Sequence, residues 1–325
     1  MAFPKLVQSD DIDDNPQMAQ DRFQELLGSL EGNISEIVVL SQERLRFMLL
    51  ALVCLGYILL EDTPGVGKTL LAKTLAQSID GDFARVQRTP DLLPSDITGT
   101  SVFNMQDSKF EFKPGPVFAN VLLADEVNRT GPRTQSALLE AMAEYQVSAD
   151  GRMYKLPVPF MVMATQNSTE SHGVFPLPDS QRDRFLVRMS LGLPTLEQEV
   201  EILARTGRGL PTPRPVVSTV DVIEMQEHVA TVDIADPVRQ YMVRLARATR
   251  EYTYFSRGVS PRGSVLLQRA CQGWAAMDGR TYVVPEDVKA VAPMVLPHRV
   301  TIRGANQTDA AEMVQEILDS VEVPL

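Results

Sequence analysis

The run from Leu59 to Thr69, LLEDTPGVGKT, holds residue types whose spacing suits a phosphate group. Gly65 and Gly67 let main-chain N–H groups turn inward around an anion with no side chain in the way. A helix starting at Lys68 adds the positive end of its dipole, Lys68 reaches β- and γ-phosphates, and Thr69 can set its hydroxyl on Mg2+. The nucleotide-binding set is therefore Asp62, Thr63, Pro64, Gly65, Val66, Gly67, Lys68, Thr69 and Leu70. Asp62 stands where the phosphate-loop pattern has its first glycine. Aspartate is expected to serve there because it tolerates left-handed φ values. Taken alone, the same residues also describe a Gly/Pro turn capping a helix, with Lys68 merely solvated.

Asp125-Glu126 follows the apolar run VLLA. An Asp so placed holds a Mg2+ shell and a following Glu polarises an attacking water. Alone, the pair reads as an acidic strand-end turn; with a Gly-Lys-Thr loop upstream, the metal-and-base reading is stronger. Asn167, at the end of FMVMATQN, offers an uncharged amide that could orient water, though a turn Asn is the commoner explanation. Arg262 in SPRG falls in the first turn of a helix capped by Ser260 with Pro261 at the first helical position. The helix dipole disfavours a cation there, which points to a phosphate partner. Arg184 in RDRF reads by itself as a surface salt bridge, and Arg129 and Arg182 are weaker candidates of the same kind. The catalytic candidates are Glu126, Asn167, Arg184 and Arg262, with Thr69 and Asp125 at the metal.

Buried strands must position these groups. YILLE, NVLLADE, FMVMATQN and RFLVRMSLG read as strands, and KTLLAKTLAQSI and GPRTQSALLEAMAEY as helices. Such alternation predicts a mostly parallel sheet covered on both faces, with ligands at the C-terminal strand ends. Asp150-Gly151 suits the turn of a hairpin. Asn15-Pro16 opens a helix expected to end at Gly32-Asn33, and Ser41 is an N-cap for the next. Beyond Gly192 a helix runs into a Pro/Gly linker, and the patterns after it are nearly all helical.

A chain of 325 residues fits two domains. Its net charge of -11 argues against a broad grip on duplex DNA or an anionic membrane, and Lys109, Lys113, Arg152 and Lys155 give only a thin basic patch. The run FMLLALVCLGYILL is too short to span a bilayer. Cys54 and Cys271 read as buried free thiols in a reducing cytoplasm. The three histidines show no metal spacing.

From about residue 37 to 303 the chain resembles the MoxR family of AAA+ ATPases. The resemblance is carried by LLEDTPGVGKTLLAKTLA, RTPDLLPSDITG, FEFKPGPVFANVLLADEVNRTGPRTQSALLEAM, MVMATQN, FPLPDSQRDRFLVRMSLGLP and SPRGSVLLQRACQGWAAMDGRTYVVPEDV. It implies an α/β fold, the AAA+ αβα sandwich with a mostly parallel sheet, followed by a smaller all-α lid. Residues 1–192 would form the nucleotide-binding core, with a helix-2 insert at about 90–116 and a hairpin before sensor 1 at about 145–157; residues 193–325 would form the lid. The resemblance makes Lys68 and Thr69 the Walker A pair, Asp125 and Glu126 the Walker B pair, Asn167 sensor 1, Arg262 sensor 2 and Arg184 the arginine finger of a neighbouring subunit. It implies ATP and Mg2+ as cofactors, a homo-oligomer, usually a hexameric ring, and a protein partner with a von Willebrand A domain. Two positions depart from the family: Arg182 replaces a frequent apolar residue, and Ser41 a common glycine near the adenine contacts expected at Val38, Val39 and Gln42.

The leading expectation is an Mg2+-dependent ATPase that remodels protein complexes, with ATP between core and lid. The alternatives are a non-hydrolysing nucleotide-gated scaffold, a helicase-like motor, and a magnesium-chelatase type of subunit.

Overall fold

The computed structural model describes residues 16–87, 92–166, 175–209, 211–304 and 309–324. Helices α1 (Pro16–Ile37) and α2 (Gln42–Val53) precede β1 (Ile58–Glu61), α3 (Lys68–Ser78), β2 (Phe83–Val86) and α4 (Pro94–Thr98). A hairpin of β3 (Gly99–Asn104) and β4 (Lys109–Pro114) leads to β5 (Val121–Ala124) and α5 (Pro132–Glu144). A second hairpin, β6 (Gln146–Ala149) and β7 (Arg152–Lys155), precedes β8 (Met161–Gln166), α6 (Asp179–Arg182) and β9 (Val187–Met189). Among the described residues the main sheet is five-stranded, in the order β2-β5-β8-β1-β9, with every neighbouring pair parallel.

The strands read as continuous apolar runs because both faces are covered. Side chains alternate between them: Ile58, Leu60, Val121, Leu123, Met161 and Met163 join the core under α1, α2 and α3. Leu59, Leu122, Ala124, Val162 and Ala164 face the other way, toward α5. Helix α1 runs through Gly32-Asn33 to Ile37. Leu30, Ile34 and Ile37 continue its buried stripe, while the Asn33 amide donates to Ser78 Oγ (2.8 Å) and the Arg214 carbonyl (3.0 Å). Tertiary bonds thus outweigh the local stop signal.

The second half holds α7 (Leu196–Arg208), α8 (Thr219–Thr231), α9 (Asp236–Glu251), α10 (Pro261–Met277), α11 (Pro285–Val295) and α12 (Ala310–Ser320), with a short antiparallel pair, β10 (Phe255–Arg257) and β11 (Thr301–Ile302). Its core is continuous with that of α1 and α2. Polar bonds reinforce the join: Gln20 Nε2 donates to the Ala276 carbonyl (2.8 Å) and Gln226 Nε2 to that of Leu52 (2.8 Å). Asp183, just before β9, forms an ion pair at 3.3 Å with the fully buried Arg299 and accepts from Ser260 Oγ at 2.7 Å. Burial pulls the Arg299 guanidinium down to about 10, still a cation at neutral pH. Among the described helices of this half, only α7 lies outside this core, with most of its surface in solvent. Among the described residues, no helix is long and apolar enough to cross a membrane.

Candidate functional site

The turn between β1 and α3 leaves the C-terminal end of a central strand. Gly65 (φ 90°) and Gly67 (φ 88°) both take the left-handed region, with open space where a Cβ would point. This leaves main-chain amides facing a cavity of about 380 Å3 lined by Asp62, Pro64, Gly65, Gly67, Lys68, Thr69 and Leu70. Thr63 contributes through its carbonyl: Lys68 Nζ donates to the carbonyl oxygens of Asp62 (3.1 Å) and Thr63 (3.2 Å). Those bonds park the ammonium at the cavity wall, where a phosphate oxygen can replace a neutral carbonyl.

Asp62 departs from its expected conformation, since it is not among the residues with positive φ. Its carboxylate turns away from the loop and accepts from Ser190 Oγ (2.6 Å), Leu191 N (2.9 Å) and Gly192 N (2.9 Å). It fastens the phosphate loop to the linker that leads into α7. Restoring the pattern's glycine with Asp62→Gly is therefore expected to lower stability by about 2 to 3 kcal/mol, because the buried Leu191 amide loses its acceptor. Urea unfolding measures this; an unchanged midpoint would show that the linker needs no such tie.

The opposite wall is acidic. Asp125 and Glu126, at the end of β5, both line the cavity. Glu126 sits in the left-handed region (φ 51°, ψ 50°), a conformation costing roughly 1 to 3 kcal/mol for a side chain that is neither Gly nor Asn. Its amide donates to Thr165 Oγ1 (2.8 Å), which in turn donates to Asp125 Oδ1 (3.3 Å), so a β8 hydroxyl sets both acids. Arg129 Nε lies 3.6 Å from Glu126 Oε2. Thr69 and Asp125 offer only oxygen donors to the same cavity, the set a hard divalent cation prefers. Asn167 lies outside the described residues.

Four lining residues escaped the sequence reading: Arg85, Gln87, Thr165 and Gln166. Arg85 pairs with Asp125 Oδ2 at 2.6 Å. Its strand, FARV, is half exposed and too short to register as a pattern, although an Arg in a strand beside an acidic strand end was the available signal. Gln166 donates to Glu61, whose other oxygen takes Arg188, and this ties the ends of β8, β1 and β9.

A second cavity, about 190 Å3 and mostly apolar, shares Gly65, Gly67 and Leu70 with the first. Val38, Val39, Leu40, Val66, Leu191 and Ile202 line it, with Arg44 and Arg205 at its edge. A polar chamber thus adjoins an apolar one, an arrangement that could take a triphosphate and a base. Gln42 does not line it, and the cover is α7 rather than α10.

Arg184 and Arg262 lie elsewhere. Arg184 precedes β9, whose Val187 pairs with Ile58 at the start of β1. The phosphate loop leaves the other end of β1, roughly 13 Å away at about 3.3 Å per residue. Arg184 donates to the Leu139 carbonyl, and burial followed by the nearby Arg262 guanidinium lower its pKa. Ser260 caps α10 through a bond from Gly263 N (3.1 Å), and Arg262 sits in the first turn as its sequence context requires. The two arginines are neighbours, and neither lines either cavity of its own chain. Arg262, expected to have a phosphate partner, stands away from the polar cavity of its own chain in this arrangement. The cause is that α10 packs against α2 and the Asp183 loop instead of over the phosphate loop.

A parallel sheet of this order, a glycine loop opening α3, an acidic pair at the neighbouring strand and a helical second half together define an AAA-type nucleotide-binding protein. The family profile of the ATPase family associated with various cellular activities (AAA) matches residues 57–187, and that of the AAA lid domain matches residues 247–321. The chain is 43% identical to the protein YeaC of Bacillus subtilis over 94% of its length and 97% of the relative's. It is 40% identical to Chaperone MoxR1 of Mycobacterium tuberculosis, covering 91% of this chain and 82% of that one. A candidate ATPase from Cytophaga hutchinsonii, solved at 2.00 Å, superposes with a TM-score of 0.89 at 36% identity over 95% of this chain and 98% of that chain. The chain belongs to the MoxR family of AAA+ ATPases.

Proposed function

We propose that this chain hydrolyses ATP with Mg2+, that its active site is completed by a second copy, and that the cycle remodels protein complexes. One observation carries the reading: the phosphate cradle and the acidic pair converge at one end of the sheet, while Arg184 and Arg262 stand together at the other. Lys68 exchanges its two carbonyl partners for phosphate oxygens. Glu126, held by Thr165, orients a water and takes its proton. Arg184 and Arg262 of the adjoining copy meet the charge that develops on the transferred phosphoryl group. Mg2+ held by Thr69 and Asp125 would neutralise phosphate charge. Asn167 is assigned to orienting the water, and Arg184 is preferred over Arg182 as the finger because Arg182 is already paired with Asp179. A hexameric ring is the assembly we infer from the family.

Phosphate release measured over a range of protein concentrations tests this. The rate per chain should rise with concentration as sites find their neighbours; a rate independent of concentration, or no release, overturns the reading. Because Arg85 competes for Asp125 across a partly exposed pair, Arg85→Ala should lower the Mg2+ concentration for half-maximal rate by about two- to fivefold, the worth of up to ~1 kcal/mol. An unchanged or raised requirement would show that Arg85 does not hold Asp125 from the metal.

The remodelling role is supported by the relative named Chaperone MoxR1 and by the two hairpins. Tyr154 of one stacks on Phe112 of the other at 3.9 Å, while Phe103, Met105, Phe110 and Met153 stay exposed. A partner with a von Willebrand A domain and a cytoplasmic location complete the proposal, the latter in keeping with two buried free thiols.

A further inference from the structure

A buried cation needs a carboxylate and enough acceptors for its remaining N–H groups, and the places from which Arg299 takes them form a pattern. Arg299 lies just after α11, is 4% exposed and has Asp183 at 3.3 Å. It also donates to the carbonyls of Phe185, Leu186 (3.4 Å) and Val295. Asp183, Phe185 and Leu186 flank Arg184, so one guanidinium grips the chain immediately before and after it. His298 Nε2 adds a bond to the same Phe185 carbonyl (2.9 Å). Arg184 itself is only half-buried.

The same side chain reaches the other arginine. Gly263, next after Arg262, has no room for a Cβ, which would stand 2.9 Å from Arg299 Cδ and 2.6 Å from Val259 Cγ1. Ser260, two residues before Arg262, donates to Asp183 (2.7 Å) and accepts from Gly263 N (3.1 Å). Arg184 and Arg262, far apart in sequence, are therefore anchored to one buried hub.

We infer that Arg299, acting through Asp183, Ser260 and Gly263, is a positioning residue that fixes where Arg184 and Arg262 stand relative to each other. The inference rests on the reading that these two arginines meet ATP, and it adds the group that aims them. Arg299 lines neither cavity. The head groups have no means of keeping this spacing themselves. Two guanidiniums repel, and Arg184 also stands near Glu140 and Glu144 and donates to the Leu139 carbonyl. Arginine side chains have many rotamers, so a fixed main-chain origin narrows where the charge can be placed. Stability alone does not call for such a hub, since apolar side chains of similar volume often replace a buried ion pair at no loss.

Arg299→Lys keeps a cation for Asp183 but has no fork to reach the Phe185 and Leu186 carbonyls as well. The test mixes a Glu126→Gln chain, which offers the arginines without the acid, with an Arg184→Ala chain, which offers the acid, and reads phosphate release. Arg299→Lys added to the Glu126→Gln chain should lower the recovered rate about ten- to a hundredfold, the scale on which a misplaced catalytic group is felt. Added to the Arg184→Ala chain, it should leave that rate, and ATP affinity by calorimetry, within about twofold, as expected of a distant site. A fold weakened throughout would lose equally on both sides. Equal loss, or no loss on the Glu126→Gln side, overturns the inference. Should Arg299→Lys melt early, Ser260→Gly takes its place, because glycine caps a helix nearly as well while releasing Asp183, and the same asymmetry is required of it. If the two chains without Arg299→Lys recover no activity on mixing, the split-site reading fails and takes this inference with it.

Discussion

Exchanging Glu126 for glutamine should lower steady-state ATP hydrolysis by about a hundred- to ten-thousandfold while leaving ATP affinity nearly unchanged, the range expected for loss of a positioned general base. The amide keeps the shape of the carboxylate and its place in the left-handed turn, and the bond from its backbone to Thr165 survives. Lys68, Thr69 and the glycine amides, proposed to hold the phosphates, are untouched. Phosphate release paired with calorimetry on the same preparation separates the two effects. Hydrolysis at the parental rate would remove Glu126 from the role of base.

The second large effect is expected from Arg184→Ala, a fall of about a thousandfold in turnover, the lower bound for an arginine finger supplied by a partner. ATP binding to the isolated chain should not change, because Arg184 precedes the strand end opposite the glycine loop proposed to bind it. Mixing provides the sharper measurement. A chain lacking Arg184 still has Glu126, and a chain with Glu126→Gln still offers Arg184. An equal mixture of two inactive proteins should recover up to roughly a quarter of the parental rate, the share of head-to-tail junctions that pair an intact acid with an intact arginine. A mixture as inactive as its components would make Arg184 a structural residue of α5 and β9. The Leu139 bond makes that role credible enough to require a melting curve beside the assay.

Where apolar periodicity and turn chemistry agree, the sequence reading and the structure coincide. Strands β1, β5, β8 and β9, the caps at Ser41 and Ser260, and the Asp150-Gly151 turn with both residues at positive φ follow from local rules. Most of the residues that line the polar cavity were equally legible, because a glycine loop and an acidic strand end have few other reasons to occur together. Contacts distant in sequence were not. β2 and Arg85 escaped because a four-residue edge strand carries too few apolar residues to show a period. α12 went unread, although Met313, Val314, Ile317 and Leu318 are buried at helical spacing. Asp62 was legible as a departure from the glycine pattern, but not as a tie to Ser190–Gly192, which lie more than a hundred residues away. Arg262 was placed correctly in the first turn of its own helix, but its distance from the cavity of its own chain was not legible. Nothing in a single helix says which neighbour that helix will lie against.

The unbroken core beneath α1, α2 and α8–α12, with Arg299 locked on Asp183, leaves the second half of the chain little freedom to swing. Such a molecule behaves as one stiff block, with α7 lying over the apolar cavity and tied to the end of α1 by Arg205. If cleavage of the triphosphate drives remodelling as proposed, the work would have to appear as a change of angle where copies abut, more than at any hinge within one chain.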